Sequence, residues 1–261
     1  MTRAVLRHVV ITGASAGIGR ALARAYSGPG TILGLVGRDV ERLSEIALEC
    51  RELGAEVVIG QLDVRDGRAA ETWVRQFDAS YPIDLLIANA GIASTLASSA
   101  DWEGIERTAQ VVDTNFYGSL NIVFPALECM RGRRRGQVAV VTSLAALRGM
   151  AISPAYCASK AALKAFADSL RPLLKQDGIS LTVILPGFVK TAMSDGFPGG
   201  KPFMWTTDKA AIHIRGKLAA RRPEIAFPFL LNLGMRILQI LPIGMADAIL
   251  GVLYPVPRKE R

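Results

Sequence analysis

The chain has little with which to hold a metal or build a disulfide frame. Its 261 residues include three cysteines and two histidines. Cys50, Cys129 and Cys157 lie far apart with no Cys-x-x-Cys pair, which reads as reduced thiols in a reducing compartment. His8 and His213 sit in unrelated contexts and no His/Cys/carboxylate group has ligand spacing, so no protein-bound catalytic metal is expected. Aromatic residues make up 7% of the chain, and none is interleaved with the densest basic run, Arg131-Gly132-Arg133-Arg134-Arg135-Gly136. That run reads as a solvated loop, and no nucleic-acid partner is expected despite a net charge of +8. The N-terminal Val9-Val10-Ile11 is too short for a signal-peptide core and runs into a glycine motif instead of a cleavage site. A cytoplasmic protein is expected.

What the chain does have is globular composition, 50% hydrophobic and 21% charged, with no low-complexity tract, repeat or linker. Residues 1–261 are expected to form one domain. Short β-branched runs, at His8–Thr12, Thr31–Val36, Glu56–Gly60, Asp84–Ala88, Gln137–Thr142 and Ser180–Leu185, are almost wholly apolar, as parallel strands covered on both faces must be. Between them, Ile18–Tyr26, Val40–Leu53, Arg68–Ala79, Ile105–Met130 and Ala155–Lys175 carry apolar residues at helical spacing. The alternation predicts an α/β fold of Rossmann type, a doubly wound parallel sheet with helices on both faces. Ligands in such folds bind beyond the carboxyl ends of the strands.

The first such end carries Thr12-Gly13-Ala14-Ser15-Ala16-Gly17-Ile18-Gly19. Gly13 permits a tight turn, Gly17 a close approach of backbone to phosphate, and Gly19 close packing of the helix on the sheet. The helix start then presents unpaired N–H groups and a positive dipole end to a pyrophosphate.

Gly-x-x-x-Gly-x-Gly after a threonine resembles the short-chain dehydrogenase/reductase family, and the resemblance runs from about Arg7 to Thr191. Ala88-Asn89-Ala90-Gly91 stands where the family has Asn-Asn-Ala-Gly, with Ala88 as the departure. Asn115 falls on the next long helix and Ser143 ends the fifth strand. Tyr156-Cys157-Ala158-Ser159-Lys160 matches the family's Tyr-x-x-x-Lys, and Pro186-Gly187, Val189 and Thr191 match the segment that holds the nicotinamide end. The resemblance implies an oxidoreductase in which Asn115, Ser143, Tyr156 and Lys160 are catalytic. It implies that Asn115 positions a water linking Lys160 to solvent, and that Lys160 also holds the nicotinamide ribose. The remaining cofactor contacts it implies are Thr12, Gly13, Ser15, Gly17, Ile18, Gly19, Asn89 and Gly91, with Asp63 at the adenine.

The chemistry suits these residue types. Hydride reduction of a carbonyl needs a proton for the developing alkoxide, and the reverse reaction needs that proton removed. Tyrosine alone is a poor base, with a pKa near 10, but a neighbouring cation favours the phenolate. Four residues apart, Tyr156 and Lys160 share one helix face, and Ser143 can orient the same substrate oxygen. A regulatory nucleotide-binding protein on the same fold is the rival reading, but it has no physical need for all four groups. At the end of the second strand, Val36-Gly37-Arg38-Asp39 places Gly37 where an acid would select NAD, with Arg38 set to clamp a 2′-phosphate. NADP(H) is therefore expected over NAD(H). Asp39 is expected to cap the following helix. Cys157, His8 and His213 are given no functional role.

The partner is expected to be a small-molecule carbonyl or alcohol substrate. Leu144, Leu147, Met150, Phe188, Met193, Phe197, Phe203, Met204 and Trp205 fall in segments that should border the pocket, several of them in a substrate loop over about 188–209. They point to a bulky apolar molecule, lipid-like, steroid-like or acyl. An apolar C-terminal extension, about 224–254, contains Phe227–Met235 and Ile237–Ala246, both too short to span a bilayer. It fits a helix packed on the body or on a partner subunit, or an interfacial helix giving peripheral membrane contact. The long helices imply, by the same family resemblance, a homodimer or homotetramer.

Overall fold

The computed structural model describes residues 6–98 and 100–256. Seven strands form one parallel sheet: β1 His8–Thr12, β2 Ile32–Gly37, β3 Glu56–Gln61, β4 Leu85–Ala88, β5 Gly136–Val141, β6 Ile179–Pro186 and β7 Glu224–Phe227. Their order is β3-β2-β1-β4-β5-β6-β7. The order reverses between β1 and β4, which opens a crevice at the carboxyl ends of those strands. Helices α1 Gly17–Tyr26, α2 Val40–Glu52, α3 Gly67–Ser80, α4 Gly104–Val112, α5 Gly118–Gly132, α6 Pro154–Gln176, α7 Ala192–Asp195, α8 Thr207–Ala219, α9 Phe229–Ile240 and α10 Ile243–Leu253 complete the chain.

Strand alternation divides the core into two layers. Val9 and Ile11 of β1 face the layer beneath α1, α2 and α8, while Val10 faces the layer that holds α3, α5 and α6. β5 does the same with Ala139 and Val141 against Val138 and Val140. All six β5 residues are buried, which is why this strand is apolar apart from Gln137.

Three features differ from the sequence reading. β7 was not anticipated, because four residues at a sheet edge, with alternating burial, leave too short a pattern to separate from the apolar run that follows. The segment read as one helix from Ile105 to Met130 is interrupted by a π-helical turn, Asp113–Tyr117. The basic run is largely solvent-exposed as expected, but its side chains are engaged with the rest of the fold. Arg131 pairs with Asp177 at 2.7 Å, Arg133 with Asp78 at 2.8 Å and Arg135 with Asp84 at 2.8 Å, and Arg134 donates to the carbonyl of Gln176 at 2.6 Å. These arginines brace the approach to β5.

Candidate active site

The crevice between β1 and β4 opens into a cavity of about 810 Å³. One end is built by the turn between β1 and α1. Gly13 and Gly17 adopt φ of +65° and +54°, a region open to glycine and costly for other residues. A Cβ on Gly17 would also come within 3.0 Å of the Thr191 methyl across the cavity. The N-cap of α1 is Ala16, which supplies no side-chain hydrogen bond, and the first turn contains no acid. By contrast, Asp39 and Asp66 cap α2 and α3 with their carboxylates. Helix α1 therefore presents its dipole and its uncommitted first-turn N–H groups to the cavity, a donor set that suits the pyrophosphate of a dinucleotide. A Cβ on Gly19 would strike both the carbonyl of Gly13 and, at 2.7 Å, the amide of Asn89 just after β4. Glycine there lets the helix close on its own loop and on the end of the sheet.

Ser15, Ile18, Arg38, Asp63, Asn89, Gly91, Ser143, Tyr156, Lys160, Pro186, Gly187, Val189 and Thr191 all line the same cavity, alongside Gly13 and Gly17. Thr12, Gly19 and Asn115 stand behind it. Thr12 is buried, and its Oγ1 accepts the N–H groups of Asn89 and Ala90, both at 3.0 Å. That locks the carboxyl ends of β1 and β4 together. Asn115, wholly buried in the π-helical turn, accepts the N–H of Ile92 at 2.8 Å. Its amide donates to the Ile92 carbonyl at 2.9 Å and to Ser159 Oγ at 3.0 Å. Its side chain thus ties the segment after β4 to the helix of Tyr156 and Lys160. A Cβ on Gly91 would come within 3.0 Å of Asn115 Oδ1 and 3.3 Å of Lys160 Nζ, so glycine there makes room for both groups.

Tyr156 and Lys160 lie on α6, and Ser143 follows β5. Burial pushes the Tyr156 phenol up to about 12, partly offset by a hydrogen bond from Ser143. Burial holds Lys160 down to about 8. The Lys160 ammonium donates to the Val141 carbonyl at 2.9 Å and sits 5.8 Å from the centre of the Tyr156 ring. Burial is the largest influence on the phenol in this arrangement. Tyr156 accordingly keeps its proton at neutral pH, with a buried amine on the same helix face.

At the opposite rim, Gly37 leaves room where an acid would stand, and the guanidinium of Arg38 is largely exposed, 3.8 Å from Asp63. Asp39 also lines this rim, but its carboxylate is engaged in capping: it accepts the N–H of Arg42 at 3.1 Å and pairs with the Arg42 side chain at 3.2 Å. Arg42, which sequence reasoning did not single out, also lines this rim.

The substrate end is apolar. Leu144, Met150, Phe188, Met193 and Phe197 line it as expected. Leu147 is buried in the core, Phe203 and Met204 face outward, and Trp205 stacks on Phe227 at 4.8 Å. The wall that sequence reasoning missed comes from the C-terminal extension, through Leu231, Met235 and Tyr254. Leu231 and Met235 recur one helical turn apart, a signal that could have marked an inward face. Tyr254 joins Phe188 and Phe197 in an aromatic cluster with ring centres 5.3 to 6.1 Å apart.

Known proteins resemble this arrangement. A family model described as short chain dehydrogenase matches residues 7–199. An uncharacterized oxidoreductase of Myxococcus xanthus (strain DK1622) is 36% identical over 247 residues, covering 93% of this chain and 95% of that protein. The 11-beta-hydroxysteroid dehydrogenase-like 2 of Arabidopsis thaliana is 35% identical over 188 residues, which cover 71% of this chain and 60% of the plant protein. An alcohol dehydrogenase from the archaeon Thermococcus sibiricus, solved in complex with 5-hydroxy-NADP, matches with a TM-score of 0.75 at 28% identity, covering 85% of this chain and 95% of that one.

Proposed function

The chain belongs to the short-chain dehydrogenase/reductase family, and on that footing we propose that it interconverts bulky apolar ketones and secondary alcohols with NADP(H). The observation that carries this reading is that Ser143, Tyr156 and Lys160 border one cavity with the uncapped start of α1. When bound, NADPH supplies a hydride to the carbonyl carbon. The residues supply the rest: Tyr156 gives its phenolic proton to the carbonyl oxygen, and Ser143 donates a hydrogen bond to the same oxygen. Lys160 then returns a proton toward Tyr156, downhill from an amine near 8 to a phenol near 12. Asn115 acts by positioning, through its hydrogen bonds to Ile92 and Ser159.

Preference for the 2′-phosphorylated cofactor is supported by Arg38 and Arg42 at the rim, and by the commitment of Asp39 to capping α2. The apolar substrate end supports a lipid-like, steroid-like or acyl ketone. Exposed Phe124 and Leu173 on the long helices α5 and α6, with Tyr117 in the π-helical turn before α5, support assembly into a homodimer or homotetramer.

The test is titration of NADPH and NADH into the protein, followed by a ketone panel with wild type and Tyr156→Phe. Turnover of apolar ketones that falls by about two orders of magnitude or more in the variant, at unchanged cofactor affinity, is expected. Cofactor binding without turnover of any ketone would favour the regulatory reading, and turnover best with small polar ketones would overturn the substrate class.

A further inference from the structure

Helices α9 and α10 are apolar on nearly every side, yet each buries a single stripe. In α9 the stripe is Leu231, Met235 and Leu238, and in α10 it is Ala246 and Leu250, continued by Tyr254. A surface helix of a soluble fold normally turns polar residues outward. Here Leu233, Ile237 and Ile240 of α9 and Met245, Ile249 and Val252 of α10 are exposed, with Ile240 at 83% and Val252 at 81%. An apolar face on this scale marks an interaction surface.

We propose that this face docks on an anionic phospholipid surface, with both helices lying in the plane of the headgroups. Among the described residues no helix is long and apolar enough to cross a membrane, so the contact is interfacial. Three observations favour lipid over a second copy of the chain. The exposed apolar face is aliphatic apart from Phe229 and holds neither tryptophan nor tyrosine, whereas binding energy between proteins concentrates in tryptophan, tyrosine and arginine. The two charged residues of the helix pair are both drawn into ion pairs with the body of the fold, Arg236 with Glu224 and Asp247 with Arg148. The protein carries a net charge of +8, and Arg258, Lys259 and Arg261 follow the helix pair directly in sequence, the charge sign that anionic lipid attracts.

The same helices present Leu231 and Met235 to the reaction cavity. The docking face and the cavity therefore share one wall, and an apolar substrate dissolved in the bilayer could enter without crossing water. Substrate delivery rests on the reductase reading, whereas docking does not.

The experiment is sedimentation of the full chain, saturated with NADPH, with vesicles of phosphatidylcholine containing phosphatidylglycerol. It compares wild type with Ile240→Glu/Val252→Glu, two positions outside the cavity wall. Wild type is expected to sediment with the vesicles, less so as salt rises. The double variant is expected to bind about tenfold more weakly or worse, with unchanged NADPH affinity and melting temperature. Sedimentation velocity without vesicles is expected to give the same oligomeric state for both proteins. Failure of wild type to bind vesicles would overturn the proposal. So would equal vesicle binding by both proteins with loss of an oligomer in the variant, which would assign the face to a second copy. Vesicle binding by a protein that binds no NADPH would instead strike the reductase reading and leave the docking surface standing.

Discussion

The carboxylate of Glu103 accepts the backbone N–H of Ala155 at 2.8 Å. This bond reaches from the residue just before α4 to the first turn of α6, one residue before Tyr156. The N-cap of α6, Ser153, makes no side-chain capping bond; its hydroxyl is turned instead to the carbonyl of Ser94. Glu103 therefore does from a distance what a local cap does elsewhere, and its negative charge also suits the positive end of the helix. Glu103→Ala is expected to lower stability by about 1 kcal/mol in urea unfolding. Its turnover is expected to drop while NADPH affinity holds, and Glu103→Gln, which keeps an acceptor, should recover most of both losses. Equal stability of the alanine variant and wild type would refute this capping role.

Lys160 makes a pH prediction with a definite sign. Its buried amine titrates near 8, below the ordinary 10.5, so the folded protein releases this proton before the unfolded chain does. Between those values the unfolded state binds more protons, and stability rises with pH. Below about 8 both states are protonated and the contribution is absent. In Lys160→Met the rise has no source, so the stability gap between wild type and variant should widen in favour of wild type from pH 8 to pH 10. The slope should approach about 1.4 kcal/mol per pH unit at most. A gap that stays flat across that range in urea titrations would show that the amine is not desolvated as the structure places it.

Arg38 governs the cofactor prediction. Its guanidinium is exposed at the rim, held only loosely at 3.8 Å from Asp63, and so is free to form a charge-assisted fork on a phosphate. Arg38→Ala is expected to weaken NADPH binding by about tenfold or more, with NADH affected far less. Equal losses for the two cofactors by fluorescence titration would move the 2′-phosphate contact to Arg42 or remove it from the account.

Much of this was legible in the chain itself. The apolar runs ending at Thr12 and Ala88 announce parallel strands because both faces of the sheet are covered, and the glycines after Thr12 announce a phosphate turn because few other residues tolerate its backbone. Tyr156 and Lys160 declare a shared face by helical spacing alone. Less was visible where a short pattern depends on distant partners. β7 is too brief to carry a period. The break at Asp113–Tyr117 has no proline to mark it, and it became apparent only once Asn115 was seen bonded to Ile92 and Ser159. The arginines from 131 to 135 look like a free charge cluster until their acceptors, Asp78, Asp84 and Asp177, are brought beside them.

Local periodicity, turn chemistry and residue type thus determined the layered fold, the glycine turn after β1 and the shared helix face of Tyr156 and Lys160, since each depends on neighbours within a few residues. Tertiary structure decided what distance in sequence conceals. It set how far burial shifts Tyr156 and Lys160 in opposite directions, recruited Glu103 to the start of α6, and made Leu231, Met235 and Tyr254 a wall of the cavity. Desolvation, capping across a loop and the choice of an inward stripe on an all-apolar helix depend on what packs against a residue, and that is settled only when the whole chain has folded.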